Sequence, residues 1–266
     1  MTSIREQDAS ALWRIAERMA DAARAAILPH FRSPTLSADN KLAGGFDPVT
    51  VADRAAEKAM REILARERPE DAILGEELGS APGTSGLTWV LDPIDGTRAF
   101  ISGTPTWGVL IALSDKDGPL LGLIDQPYTG ERFMGGLGRA GWTGPGRKAP
   151  LGTRKTSGLA NAILFSTFPE IGTPQDRTAF ERVMSEVQLT RFGCDCYAYA
   201  LLAAGHIDLV IEAGLNAYDV QAPIAVIEAA GGIVTDWDGN PAHLGGRVLA
   251  AANEDLHAAA MAHLNG

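Results

Sequence analysis

An α/β fold is predicted for this chain of 266 residues, on three observations. Apolar runs of strand length alternate with segments of helical periodicity through the C-terminal half, which implies α/β layering. Several apolar stretches in the middle are joined by Asp/Gly and Pro/Gly turns, as in an antiparallel meander. Two amphipathic helical segments precede both. A hydrophobic content of 45% at this length can bury a large core, as one domain or two closely packed subdomains.

Taken in order, the segment from Ala9 to Phe31 sets Leu12, Ile15, Met19, Ala23 and Ile27 on one face and is a packing helix. Ser33 to Gly45, rich in Ser, Asn and Gly, reads as a mobile segment containing Lys41. Thr50 with Asp53 three residues on is an acidic capping box opening a helix over Arg54 to Arg68, striped by Ala56, Ala59, Met60 and Ile63. Ala72 to Leu74 is a short strand that presents Glu76 at its end, and Gly79 to Gly86 is a turn-rich connection. Strands follow at Thr88 to Leu91, Trp107 to Leu113, Leu120 to Ile124 and Glu131 to Met134. Gly135 to Gly158, heavy in Gly, Lys, Arg and Pro, is the candidate boundary, dividing an N-terminal α+β subdomain (1–145) from a C-terminal α/β subdomain (146–266). Beyond it the pattern predicts strands at Ala162 to Ser166, Leu189 to Phe192, Ile207 to Ile211, Ile233 to Thr235 and Val248 to Ala251. Helices are predicted over Thr178 to Val187, Tyr197 to Ala204, Val220 to Ala230 and Glu254 to Leu264.

A net charge of -10 argues against a nucleic-acid backbone or an anionic membrane as partner. The longest apolar runs are strand-sized and no basic-then-apolar leader opens the chain, so a cytoplasmic location is expected. Cys194 and Cys196 are too close for an ordinary disulfide and are read as reduced thiols. Five histidines without ligand spacing turn attention to oxygen ligands.

The stretch from Trp89 to Phe100 concentrates the chemistry. An apolar strand delivers Asp92 and Asp95 either side of a proline, followed at once by Gly96, Thr97 and a short helix. Two ionised carboxylates held together repel, and the pair invites a hard divalent cation such as Mg2+. Backbone N–H groups of Gly96 and Thr97 at the helix start would hold a phosphate oxygen beside it. An isolated D-x-x-D is more often a turn or a helix cap, and Asp53 and Asp219 each have the same plain reading as capping residues.

Asp92-Pro93-Ile94-Asp95-Gly96-Thr97, with Gly75-Glu76-Glu77 upstream and Tyr218-Asp219-Val220 far downstream, resembles the inositol monophosphatase family of Mg2+-dependent phosphatases over nearly the whole chain. The resemblance implies a layered α-β-α-β-α sandwich of the inositol monophosphatase / fructose bisphosphatase type. It implies two or more Mg2+ ions held by Glu76, Asp92, Asp95, Asp219 and the carbonyl of Ile94. It further implies a hydrogen bond from Thr97 to Asp53, with that pair and Glu76 orienting and deprotonating a water for in-line attack. The implied partners are a small phosphorylated metabolite and a second copy of the chain in a homodimer.

After D-G-T the chain departs from the inositol enzymes. Arg98 to Gly108 and Arg191 to Tyr199 are similar to the histidinol-phosphatase branch. A carboxylate at Asp195 would suit a cationic leaving group. Glu212 matches the family glutamate that faces the substrate's alcohol portion, and Asn216 lies near the site by family position. Arg98 either pairs with one of these acids or faces a neighbouring subunit. The expected activity is histidinol-phosphate hydrolysis in histidine biosynthesis. Inositol-1-phosphate and 3'(2'),5'-bisphosphate nucleotides are the alternative esters, and a silent metal- or phosphate-binding regulator or a structural scaffold are the non-enzymatic readings.

Overall fold

Residues 6–34, 36–40 and 48–266 are described by the structure, a computed structural model. Helix α1 (Glu6–Ile27) leads to an antiparallel pair, β1 (Ala38–Asn40) and β2 (Pro48–Thr50), and then to α2 (Val51–Glu67). Of the segment Ser33 to Gly45, predicted as mobile, Ala38–Asn40 form the paired strand β1, and Lys41 with the rest of the segment to Gly45 lies outside the described residues.

Next come β3 (Ala72–Gly75), β4 (Gly79–Ala81), β5 (Thr88–Asp95), the short α3 (Thr97–Ile101), β6 (Gly108–Asp115), β7 (Gly118–Gln126), β8 (Glu131–Gly136), β9 (Arg139–Gly144) and β10 (Arg147–Pro150). These strands form one eight-stranded sheet in the order β10-β9-β8-β7-β6-β5-β3-β4. Its pairings are antiparallel apart from β3 beside β5. The second half comprises β11 (Ile163–Ser166), α4 (Pro174–Met184), β12 (Leu189–Phe192), α5 (Asp195–Ala203), β13 (Leu209–Asn216), α6 (Ala217–Ala229), β14 (Ile233–Thr235), β15 (Gly245–Ala251) and α7 (Glu254–Leu264). Its five-stranded sheet runs β12-β11-β13-β15-β14.

The strands at the centre of the large sheet read as unbroken apolar runs because both faces are covered. On β5 and β6, Trp89, Leu91, Val109, Ile111 and Leu113 pack under α1 and α2. Val90, Leu110 and Ala112, of opposite parity, join α5, α6 and the near face of the second sheet. The far face of that sheet, with Leu164, Leu209, Ile211, Leu249 and Ala251, is covered by α4 and α7. Helix pair, sheet, helix pair, sheet, helix pair is the α-β-α-β-α sandwich expected. Among the described residues no helix is long and apolar enough to cross a membrane.

Strands β4, β9 and β10 and helix α4 differ from the sequence reading. Gly79–Ala81 is an edge strand rather than a turn, and β9 with β10 forms a hairpin where a loose connection was expected. The 145/146 division falls in the turn of that hairpin, and the chain passes to the second sheet only after Pro150. These strands are short and rich in Gly and polar residues, so no apolar alternation announces them. Helix α4 begins four residues before Thr178, because Thr173 and Asp176 exchange capping hydrogen bonds and Pro174 occupies the first turn.

The central helix α6 sits unusually close to the large sheet. A Cβ at Gly122 would lie 2.2 Å from the carbonyl oxygen of Ala222, and one at Gly135 would lie 2.4 Å from the Cα of Val226. Bare backbone on β7 and β8 lets the helix settle there, and its N-terminal end thereby reaches the strand end that carries Asp92 and Asp95.

Candidate metal and phosphate site

Asp92 and Asp95 are three residues apart, an odd spacing that in a regular strand sends side chains to opposite faces. A bulge reverses this. Asp92 stands opposite Leu110 of β6 and Asp95 opposite Gly108, so three steps on β5 match two on β6. The extra residue returns Asp95 to the face of Asp92, while Ile94 turns the other way and packs under α1 and α2. Pro93, with no N–H to lose, is accommodated in the irregularity. The Ile94 N–H donates to Asp92 Oδ1 at 3.0 Å and fixes that carboxylate.

Two further acids arrive from neighbouring elements. Glu76 follows β3, its N–H donating to Leu91 O at 3.1 Å, and Asp219 lies in the first turn of α6. Asp92 is in hydrogen-bonding reach of both their carboxyl groups. Oxygens of Asp92, Asp95 and Asp219 lie within 4.8 Å of one another. Glu76 stands outside that trio and approaches it through Asp92.

Asp53 and Asp219 each commit one carboxylate oxygen to the start of a helix. Asp219 is the third helical residue of α6 rather than its cap: its Oδ2 accepts the Asn216 N–H at 2.6 Å. Its other oxygen is left for the acidic trio. Asp53 does the same in α2, its Oδ2 accepting the Thr50 N–H at 2.8 Å and the Thr50 hydroxyl at 2.5 Å. Its Oδ1 faces the Thr97 hydroxyl at 3.5 Å, the outer limit of a hydrogen bond. The closer partner of Thr97 is Ile94 O at 3.1 Å, so the expected Thr97 to Asp53 bond is present only loosely.

Gly96 has φ +83 at the start of α3, a left-handed conformation that suits glycine. A Cβ there would also lie 2.8 to 2.9 Å from the side chain of Asp195. Asp195 opens α5 with φ +46 and so abuts the corner formed by Gly96 and Thr97. The Cys196 N–H, next in the chain, donates to Asp95 Oδ2 at 2.6 Å. Glu212, in the middle of β13, is buried, with Oε1 accepting the Thr167 N–H at 2.7 Å and hydroxyl at 2.8 Å.

These groups line a cavity of about 300 Å3. Glu76, Asp92, Ile94, Asp95, Gly96, Thr97, Asp195, Glu212, Asn216 and Asp219 all face it, and Asp53 stands behind Thr97. Sequence reasoning missed Thr167, Phe168, Cys196, Tyr199 and Tyr218 on the same wall. Cys196 acts through its backbone N–H, and Thr167 through its N–H and hydroxyl together, contacts that no residue pattern advertises. The hydroxyl of Tyr199 is buried there without a hydrogen-bond partner among the described residues. Arg98 lies with its guanidinium 4.9 Å from the Phe168 ring, and its charge lowers the pKa of Asp195.

The electrostatics test whether a cation fits. Burial, then the charges of Glu76, Asp95 and Asp219, push Asp92 well above the ordinary carboxylate range. Burial, then Asp195 and Asp219, do the same to Asp95, against the opposing Cys196 hydrogen bonds. Asp219 is raised to about 7, chiefly by burial. Asp195 rises to about 6 and Glu212 to about 7, again by burial first. Crowded, desolvated carboxylates with only oxygen donors fit a hard dication, which would relieve this mutual repulsion.

The chain matches the model of the Inositol monophosphatase family over residues 8–266. It is similar to the bifunctional phosphatase IMPL2, chloroplastic, of Arabidopsis thaliana, at 41% identity over 261 residues, covering 94% of this chain and 74% of that one. A histidinol-phosphatase of Streptomyces coelicolor is 36% identical over 259 residues, 95% of this chain and 96% of that protein. A solved structure of an inositol monophosphatase from Zymomonas mobilis superposes with a TM-score of 0.83 at 41% identity, covering 95% of this chain and 97% of that one.

Proposed function

The chain belongs to the inositol monophosphatase family of phosphomonoester hydrolases, and from that premise we propose that it is an Mg2+-dependent histidinol-phosphate phosphatase acting in histidine biosynthesis. The observation that carries the ester assignment is the second acidic pair in the cavity, Asp195 and Glu212, beside the acids suited to a metal. A leaving group bearing an amine and an imidazole gives both carboxylates a cationic partner, whereas an uncharged polyol would leave them to repel. The name of the Streptomyces relative supports the same ester.

Glu76, Asp92, Asp95, Asp219 and the Ile94 carbonyl would hold two or more Mg2+ ions. When bound, Mg2+ supplies Lewis acidity toward the phosphoryl group and acidifies a coordinated water. The chain's own residues do the remainder. Backbone N–H groups of Gly96 and Thr97 hold a phosphate oxygen. Glu76 and the Thr97 hydroxyl orient the attacking water, and Glu76 with the Thr97–Asp53 pair accepts its proton. Burial raises the pKa of Asp53, which improves it as the final acceptor. Attack is in line, with no covalent phosphoenzyme. Asp195 and Glu212 bracket the leaving group.

A second reading, inositol-1-phosphate hydrolysis, is favoured by the Zymomonas enzyme. Phosphate release from histidinol phosphate, inositol 1-phosphate and adenosine 3',5'-bisphosphate, with Mg2+ and after chelation, separates the readings. Histidinol phosphate is expected to give the highest kcat/KM, and the metal-free protein none. Asp195→Ala should lower that value about thirtyfold, the loss from breaking a charge pair of about 2 kcal/mol, and spare inositol 1-phosphate. Histidinol phosphate as the poorest ester would sink the assignment, and no hydrolysis of any ester would favour a silent regulator.

A further inference from the structure

Glu76 and Asp92 line the same cavity, and two ionised carboxylates held together repel. Glu76 sits in the short turn between β3 and β4, where its N–H donates to Leu91 O. Something has to keep this carboxylate turned inward.

Helix α2 supplies the hold. Asp53, Glu57 and Arg61 follow one another at one-turn spacing on a single face of the helix. Glu57 is fully buried, a rare state for a glutamate. Its Oε2 accepts the Glu77 N–H at 2.7 Å, and its Oε1 accepts the Leu78 N–H at 3.2 Å and Arg61 Nε at 2.7 Å. The Arg61 guanidinium also donates to the carbonyl of Gly79. Just before Glu76, a Cβ at Gly75 would fall 1.9 Å from Glu57 Oε1 and 2.7 Å from the Arg61 guanidinium. The carboxylate therefore lies against the backbone preceding Glu76 and grips the two amides following it.

We propose that Glu57, oriented by Arg61, is a positioning residue that fixes the β3–β4 turn so that Glu76 stays at the metal site. Metal affinity then depends on a residue that never meets the metal. The inference rests on Glu76 being a metal ligand. Loss of Glu57 frees the amides of residues 77 and 78 to turn to solvent, and repulsion from Asp92 carries Glu76 out of the site.

The test is titration of the metal-free full chain with Mn2+ alone, read by the electron paramagnetic resonance of the free ion, with melting temperatures measured with and without metal. Glu57→Gln, folded by circular dichroism, is expected to bind Mn2+ about tenfold more weakly and to show a smaller metal-induced rise in Tm. A merely structural Glu57 would lower Tm equally in both conditions and leave Mn2+ affinity at the parent value, which overturns the proposal. Should Glu57→Gln not fold, Arg61→Gln takes its place: weaker Mn2+ binding supports the inference and parent affinity overturns it. Glu76→Gln separates the two layers of reasoning. Unchanged affinity in that variant means that Glu76 is no ligand, and the site reading falls first. Weakened affinity in Glu76→Gln with parent affinity in Glu57→Gln removes the positioning role alone.

Discussion

Asp53 and Asp219 each divide their two oxygens between a capping box and the site. One oxygen of each is satisfied by the helix it belongs to, which aims the other at Thr97 or at the acidic trio without any long side chain to order. Asp92 stands where the charges converge, so Asp92→Asn should stabilise the metal-free protein by about 2 kcal/mol while abolishing metal-dependent hydrolysis. Thermal melts in chelator, paired with an activity assay, check both halves. The pH response has a definite sign. Asp219 and Glu212, raised to about 7, and Asp195, raised to about 6, hold protons in the folded chain that the unfolded chain has released. A carboxyl raised in this way penalises the fold above its unfolded pKa, fully so above its folded one. Metal-free stability should therefore fall as pH rises from about 4 to about 7, and saturating Mg2+ should flatten that slope in calorimetry.

At the scale of elements, the bulge in β5 governs which side of the sheet sees Asp95. Deleting both Pro93 and Ile94 would remove the bulge and leave Asp95 adjacent to Asp92, with its side chain turned toward α1 and α2. The expected result is a folded, weakened protein without Mn2+ binding, read by the same titration. Helix α4 gives a simpler control away from the cavity. Thr173→Ala removes the hydroxyl that accepts the Asp176 N–H at 3.2 Å and should cost about 1 kcal/mol in denaturant unfolding with activity unchanged.

Across the whole molecule, α6 joins the two sheets and carries Asp219 at the end nearest β5. Its seat depends on Gly122 and Gly135 being bare. Gly122→Val would force the helix away from the sheet, at a cost of about 3 kcal/mol. Metal affinity should fall with it, because Asp219 would leave the trio. A Gly122→Val protein that melts lower yet binds Mn2+ as tightly as the parent would show that the first turn of α6 is held independently of the packing below it.

Much of this was legible in the chain alone. Helical and strand periodicities are local, so α1, α2, α5, α7 and the core strands were readable, whereas β4, β9 and β10, short and rich in Gly and polar residues, were not. Glu76, Asp92, Asp95 and Asp219 were picked out together by the resemblance of their motifs to the inositol monophosphatase family, since locally a D-x-x-D or an acid at a helix start reads as readily as a turn or a cap. Sequence spacing could not decide which face each acid would occupy. That followed from one extra residue in β5, from bare glycine backbone under α6, and from amides of Ile94, Thr167 and Cys196 brought to carboxylates by folding. Side-chain chemistry is written residue by residue, but direction and distance arise only when segments remote in sequence pack together.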